Sequence, residues 1–194
     1  SDNSFIIANN SIEKTFTNGW HIIGTPVLLD GSTTMQEHIN NGSNFYNGIN
    51  YWQVLDEQEN STDPVTPSNT IFESGKGYYL HLYNFQDNNL SETLTLSGDV
   101  ATQYTLDSLH IGWNLISNPL VVSMNINNID IIDLDGNSMS WMDANSNGLI
   151  SPYLLEFDQD SNILRPAYDI EPYKGYWVYL YDQISMSFEN KIEP

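Results

Sequence analysis

Cysteine is absent from the 194 residues. Its absence excludes disulfides, thiolate chemistry and Cys-ligated zinc, but decides nothing about compartment. Cations are scarce as well: five Lys plus Arg stand against 25 Asp plus Glu, for a formal charge of -20. So acidic a chain is unsuited to DNA, RNA or an anionic membrane surface, because phosphate backbones select cationic faces. Long apolar runs are missing too, which predicts no membrane insertion. The N-terminal SDNSFIIANN has neither a basic region nor a long apolar core. Charged residues make up only 15% of the chain, so Asn, Ser and Thr must solvate the rest of its polar surface.

Catalytic signatures are also missing. No serine lies in a G-x-S-x-G setting, and there is no P-loop and no G-x-G-x-x-G. His21, His38, His81 and His110 are scattered without the spacing of a zinc site. With 25 acids, carboxylate pairs of the glycosidase kind arise by chance and carry no signal. The chain is expected not to be an enzyme.

What the sequence does have is repetition, the first thing to seek in a chain of this size. GWHIIGTPV at 19–27 matches GWNLISNPL at 112–120, and KGYYLHLY at 76–83 matches KGYWVYLY at 174–181. Between these landmarks each copy has a further tryptophan, Trp52 and Trp141, and each ends on an alternating segment, ETLTLSGD and ISMSFENK. The order predicts two related halves, residues 1–98 and 99–194, with Trp20 on Trp113, Trp52 on Trp141 and Lys76 on Lys174. The strand near 92–97 is expected to close the first half and open the second. The second copy is longer between its middle tryptophan and its lysine, within DANSNGLISPYLLEFDQDSN.

Local patterns are those of strands. TLTL and SMSF alternate with period two, and WHII and WNLI are short apolar strands stopped by Pro26 and Pro119. Asn-Gly pairs supply turns. Helix is expected only at TTMQEHI, residues 33–39, where Met35 and Ile39 share a face. The predicted fold class is all-β with minor helix, two β-rich halves packed as a pseudo-duplicated sandwich or barrel-like body.

The series Gly112, Trp113, Asn114, Leu115, Ile116, Ser117, Pro119, Leu120, then Gly175, Tyr176, Trp177 resembles a repeat of large secreted and surface-anchored bacterial proteins, particularly of marine and gliding Bacteroidota. Copy one departs from it at His21, Thr25 and Tyr79, where copy two has Asn114, Asn118 and Trp177. The resemblance spans nearly the whole chain. It implies a compact β-rich module, extracellular or at the cell surface, among neighbouring modules of one polypeptide. It implies no catalytic residue.

Three groups of residues are candidates for function. The first lies in the aromatic strands, where Tyr79, Tyr83, Trp177, Tyr179 and Tyr181 cannot all be core, so one face is expected to be an exposed platform or an interface. Aromatic faces stack on sugar rings, and neutral amides bind hydroxyls. Trp20, Trp113, Trp52 and Trp141, recurring at matched positions, are expected in the core. The second group is Lys76 and Lys174, either turn residues with a local carboxylate or ligand contacts at a duplicated site. The third is Asp143, Asn145 and Asn147 before Gly148, which have the alternate oxygen spacing of a calcium loop, although Leu154 stands where an EF-hand would place its last acid. Calcium is thus the expected cofactor, and an Asx-rich turn without metal is the other reading. The expected function is a non-catalytic extracellular binding or adhesion module, with a glycan or protein ligand at a surface. The alternative is a structural spacer, or a surface-layer or virion component without its own ligand.

Overall fold

The computed structural model describes residues 6–8, 11–29, 31, 50–55, 71–84, 91–107 and 109–190, with only the backbone for 6–8, 50–55, 83–84 and 92. Period-two alternation builds the first half. Its strands are β1 (Ile6–Ala8), β2 (Ser11–Thr17), β3 (Gly19–Ile23), β4 (Asn50–Leu55), β5 (Tyr78–Asn84) and β6 (Ser91–Ser97). They form two antiparallel sheets, β1-β2-β6 and β3-β5-β4. Ile12 and Phe16 of β2 and Leu94 and Leu96 of β6 face Ile23, Tyr78, Leu80 and Leu82 across one buried cluster.

The second half repeats the plan. β7 (Gln103–Leu106), β10 (Asp130–Ile132), β11 (Ser138–Ser140) and β16 (Ser185–Glu189) form one sheet in the order β11-β10-β16-β7. β8 (Gly112–Ser117), β12 (Leu154–Asp158), β13 (Ile163–Ala167) and β15 (Gly175–Leu180) form the other, in the order β13-β12-β15-β8. A small ladder joins β9 (Met124–Asn125) to β14 (Asp169–Ile170). Tyr176, Val178 and Leu180 meet Ile131, Met186 and Phe188 in the core between the sheets. Among the described residues the fold is all-β, sandwich-like, with open sheets and one short α-helix, α1 (Trp141–Ser146). The helix expected at 33–39 lies outside the described residues.

Two expectations about the repeat change. Trp52 and Trp141 are not equivalent: Trp52 lies in β4, while Trp141 opens α1 and is buried. β4 corresponds instead to β12, since Leu55 pairs with Tyr79 as Leu155 pairs with Trp177. The segment near 92–97 pairs with β2, at the edge of a first-half sheet. On this equivalence the second half is longer between Trp113 and Leu155 than the first is between Trp20 and Leu55, and α1 lies in that stretch.

Elsewhere the equivalence reaches single hydrogen bonds. Gly19 and Gly112 both have positive φ, 116° and 107°, which favours glycine at each strand entry. His21 Nε2 bonds the Thr17 carbonyl at 2.7 Å, and Asn114 Nδ2 donates to the His110 carbonyl, also four residues back, at 2.7 Å. Buried Thr25 and Asn118 each accept from a backbone N–H two residues on, that of Val27 or Leu120. At His21 and Thr25, copy one's departures from the repeat therefore keep a hydrogen-bonding task of the copy-two residue.

The halves meet through a contact made twice. Ile23 bridges Lys174, and Ile116 bridges Lys76. Gly24 N donates to Tyr173 O at 3.3 Å, and Ser117 N to Gly75 O at 2.8 Å. Such reciprocity is that of a two-fold dimer interface, here within one chain. Ile22 and Leu115 are buried by this contact and belong to neither core.

Candidate functional site

The same register decides which aromatic rings reach solvent. In β5 Tyr78, Leu80 and Leu82 point inward, so Tyr79 and His81 take the outer face; in β15 Trp177 and Tyr179 do so. Cross-strand partners extend that face, Trp20 lying opposite His81 and Trp113 opposite Tyr179. Trp20 and Trp113, expected in the core, are corrected to this surface. Trp20 is half-buried, and Trp113 is 49% exposed. Trp141 is a core residue, its Nε1 donating to the Ser151 carbonyl at 2.9 Å. Trp52 and Tyr83 have no described side chain.

Together the outer rings form a row. His81 stacks on Trp20 with centroids 4.3 Å apart and planes 8° from parallel. Trp20 meets Tyr79 at 6.3 Å and 87°, and the equivalent pair, Trp113 and Trp177, meets at 6.3 Å and 86°. Tyr79 and Trp177 join the two halves, their rings 6.3 Å apart and the indole N–H donating to the phenol oxygen at 2.8 Å. Beyond Trp113 the row continues to Tyr179 at 5.2 Å and from there to Tyr181 at 5.0 Å. Tyr181 is 56% exposed. At this end lies a groove of about 350 Å³ lined by Trp113, Pro152, Tyr153, Leu155, Tyr179 and Tyr181.

Lys76 and Lys174 are not members of the row. Each sits in an E-x-x-K-G-Y turn: Lys76 Nζ bonds Glu73 at 2.9 Å and Lys174 Nζ bonds Glu171 at 2.8 Å. In both turns the glutamate's backbone N–H donates to a tyrosine hydroxyl, Glu73 to Tyr78 and Glu171 to Tyr176. Burial pushes the Tyr176 hydroxyl well above the ordinary phenol range. Lys174 also approaches Glu156 at 3.6 Å, and Arg165 joins Glu156 and Asp158 at 2.8 and 2.9 Å. Solvent screening leaves pairs of this kind little net effect on stability. Their effect is to occupy the cations and fix the turns.

A second depression, of about 360 Å³, lies between β2–β3 and the β12–β13 hairpin. Its charges balance, Lys14, Arg165 and Lys174 against Glu156, Asp158 and Asp160. His21 lines it, and burial lowers that imidazole's pKa, with nearby His81 and Lys14 acting the same way.

Asp143, Asn145 and Asn147 are not brought together. Residues 141–146 are helical, so alternate side chains point to different sides. Ser140 caps the helix, its Oγ accepting from Asp143 N at 3.1 Å and donating to Asp143 Oδ2 at 2.7 Å. Asn145 Nδ2 donates to Ile150 O, and Asn147 Nδ2 contacts Met139 Sδ. Gly148, at φ 72°, ends the helix in the left-handed conformation. Among the described residues no group of three or more His, Asp or Glu converges.

Comparison with protein-family models, curated proteins and solved structures finds no match for this chain. Its chemistry must be read from its own surface. No described helix is long and apolar enough to cross a membrane.

Proposed function

We propose that this chain is a non-catalytic carbohydrate-binding module, acting outside the cell or at its surface within a larger polypeptide. The observation that carries the reading is the row of outer rings from His81 to Tyr181, which leaves Trp113 and Tyr181 about half exposed. Large rings are normally covered, and a contiguous row that is partly open to solvent supports a recognition surface. The chemistry suits sugars. Pyranose rings carry apolar C–H faces that lie against aromatic faces, while indole N–H and phenol O–H groups bond hydroxyls at the edges. A spacer without a ligand would gain nothing from keeping these rings wet.

The test is binding of the intact chain to a panel of immobilised polysaccharides, repeated with Trp113→Ala. The reading expects retention on at least one polysaccharide and its loss in the variant, which should still unfold in one cooperative transition. Equal retention of both proteins, or retention of neither, would refute it.

A further inference from the structure

Resting on that reading, we infer that the ligand is a single uncharged linear glycan chain, laid along the whole row and crossing from one half to the other. Three observations lead there.

The row has no break at the boundary. Two half-rows of matched geometry, Trp20 with Tyr79 and Trp113 with Trp177, abut through the 2.8 Å hydrogen bond between Trp177 and Tyr79. Successive centroids are 4.3 to 6.3 Å apart from His81 to Tyr181, so no ring is isolated from the next. Two independent sugar sites would need a gap between them. Instead, joining the halves makes the second half's contacts intramolecular once the first half is engaged, which raises affinity with chain length.

The rings are not coplanar. From Trp20 onward neighbouring planes are inclined by 51° to 87°. A flat crystalline polysaccharide face needs coplanar rings to lie on. Steeply inclined rings suit one flexible chain whose units can turn to meet each of them, with the groove beside Trp113 and Tyr153 taking the units at one end.

Charge selects the class of chain. At -20 the protein repels uronate and sulfate groups. Lys76, Lys174 and Arg165 are committed to Glu73, Glu171, Glu156 and Asp158. The row itself is built from neutral groups, with the imidazole of His81 held below its ordinary pKa by burial.

Isothermal titration of the whole chain with cello-, xylo-, laminari-, chito- and manno-oligosaccharides, from disaccharide to octasaccharide, tests this. Expected are rising affinity with length in one series, one long oligosaccharide per protein, and losses of about tenfold or more for Trp20→Ala and Trp113→Ala separately. Trp20→Phe, which retains a ring, should recover part of the loss. Length-independent affinity, two long chains per protein, indifference to Trp20→Ala, or preference for an oligouronate would overturn the inference while leaving carbohydrate binding standing. Failure of every sugar to bind would instead remove the reading beneath it.

Discussion

Gly77 and Gly175 lie back to back where the two halves cross. A Cβ built on Gly175 would stand 3.4 Å from Gly77 Cα and 2.5 Å from Ile22 Cγ2. One on Gly77 would stand 2.8 Å from Leu115 Cγ and 2.9 Å from the Ile116 carbonyl. Each glycine therefore covers an apolar residue of the other half, and its missing side chain lets the backbones bridge. Gly77→Ala and Gly175→Ala are each expected to cost about 1–3 kcal/mol through overpacking. Chemical denaturation checks this, and wild-type stability in either variant would count against so tight a crossing.

Two tryptophans should respond unequally to truncation. Trp141→Ala removes a buried ring and leaves the Ser151 carbonyl without its donor, an expected loss of about 3–5 kcal/mol. Trp113→Ala removes a half-exposed ring with edge contacts to Trp177 and Tyr179 and should cost less, about 0.5–1.5 kcal/mol. Denaturation midpoints of the two variants, measured side by side, separate core from surface.

Stability should fall as pH drops from about 6.5. The His21 pKa is lowered in the fold, chiefly by burial, so below the unfolded value the unfolded chain binds a proton that the folded chain does not. Above that pH the imidazole is neutral in both states and its stabilising hydrogen bond to Thr17 is intact. His81 is shifted in the same direction by burial and adds to the slope. His21→Asn, which places copy two's residue in copy one, should flatten the decline between pH 6.5 and the folded pKa without abolishing it, as read from urea midpoints across that range. An unchanged slope would refute the assignment to His21.

Asp143 gives a prediction that distinguishes a helix cap from a calcium ligand. As an acid in the first turn of α1 that accepts from Ser140 Oγ, it should contribute about 0.3–1 kcal/mol whether or not calcium is present. Melting of wild type and Asp143→Ala, each with calcium and with chelator, checks this. A calcium-dependent rise in wild type that Asp143→Ala removes would restore the cation site.

Much of this architecture is legible in the sequence, because duplication and period-two alternation are local signals. The E-x-x-K-G-Y turns could be read from Glu73 and Glu171 standing three residues before their lysines. The exposed tryptophans could not. Trp113 shares a face with Leu115, and Leu115 is buried where Gly77 of the other half lies against it. Nothing local in WNLI separates the ring that stays at the surface from the leucine that a distant segment covers. At DANSNG two local signals competed. The capping pair Ser140 and Asp143 was present, but the alternating Asx spacing resembled a cation loop.

Tyr173 marks a place where the crossing is unequal. It holds φ 65° where the first half has Gly75 at φ 81°, and its ring is buried in the first half's core. At Gly75 the space is taken from the other side by Tyr104, whose hydroxyl bonds the Ser74 carbonyl at 2.9 Å. One tyrosine fills each end of the crossing, supplied by the turn at one end and by β7 at the other. Two first halves brought together would leave both ends hollow, since β2 has no tyrosine, and two second halves would bring two rings to each space. The crossing is thus complementary between unlike halves, and two like halves would lack that fit.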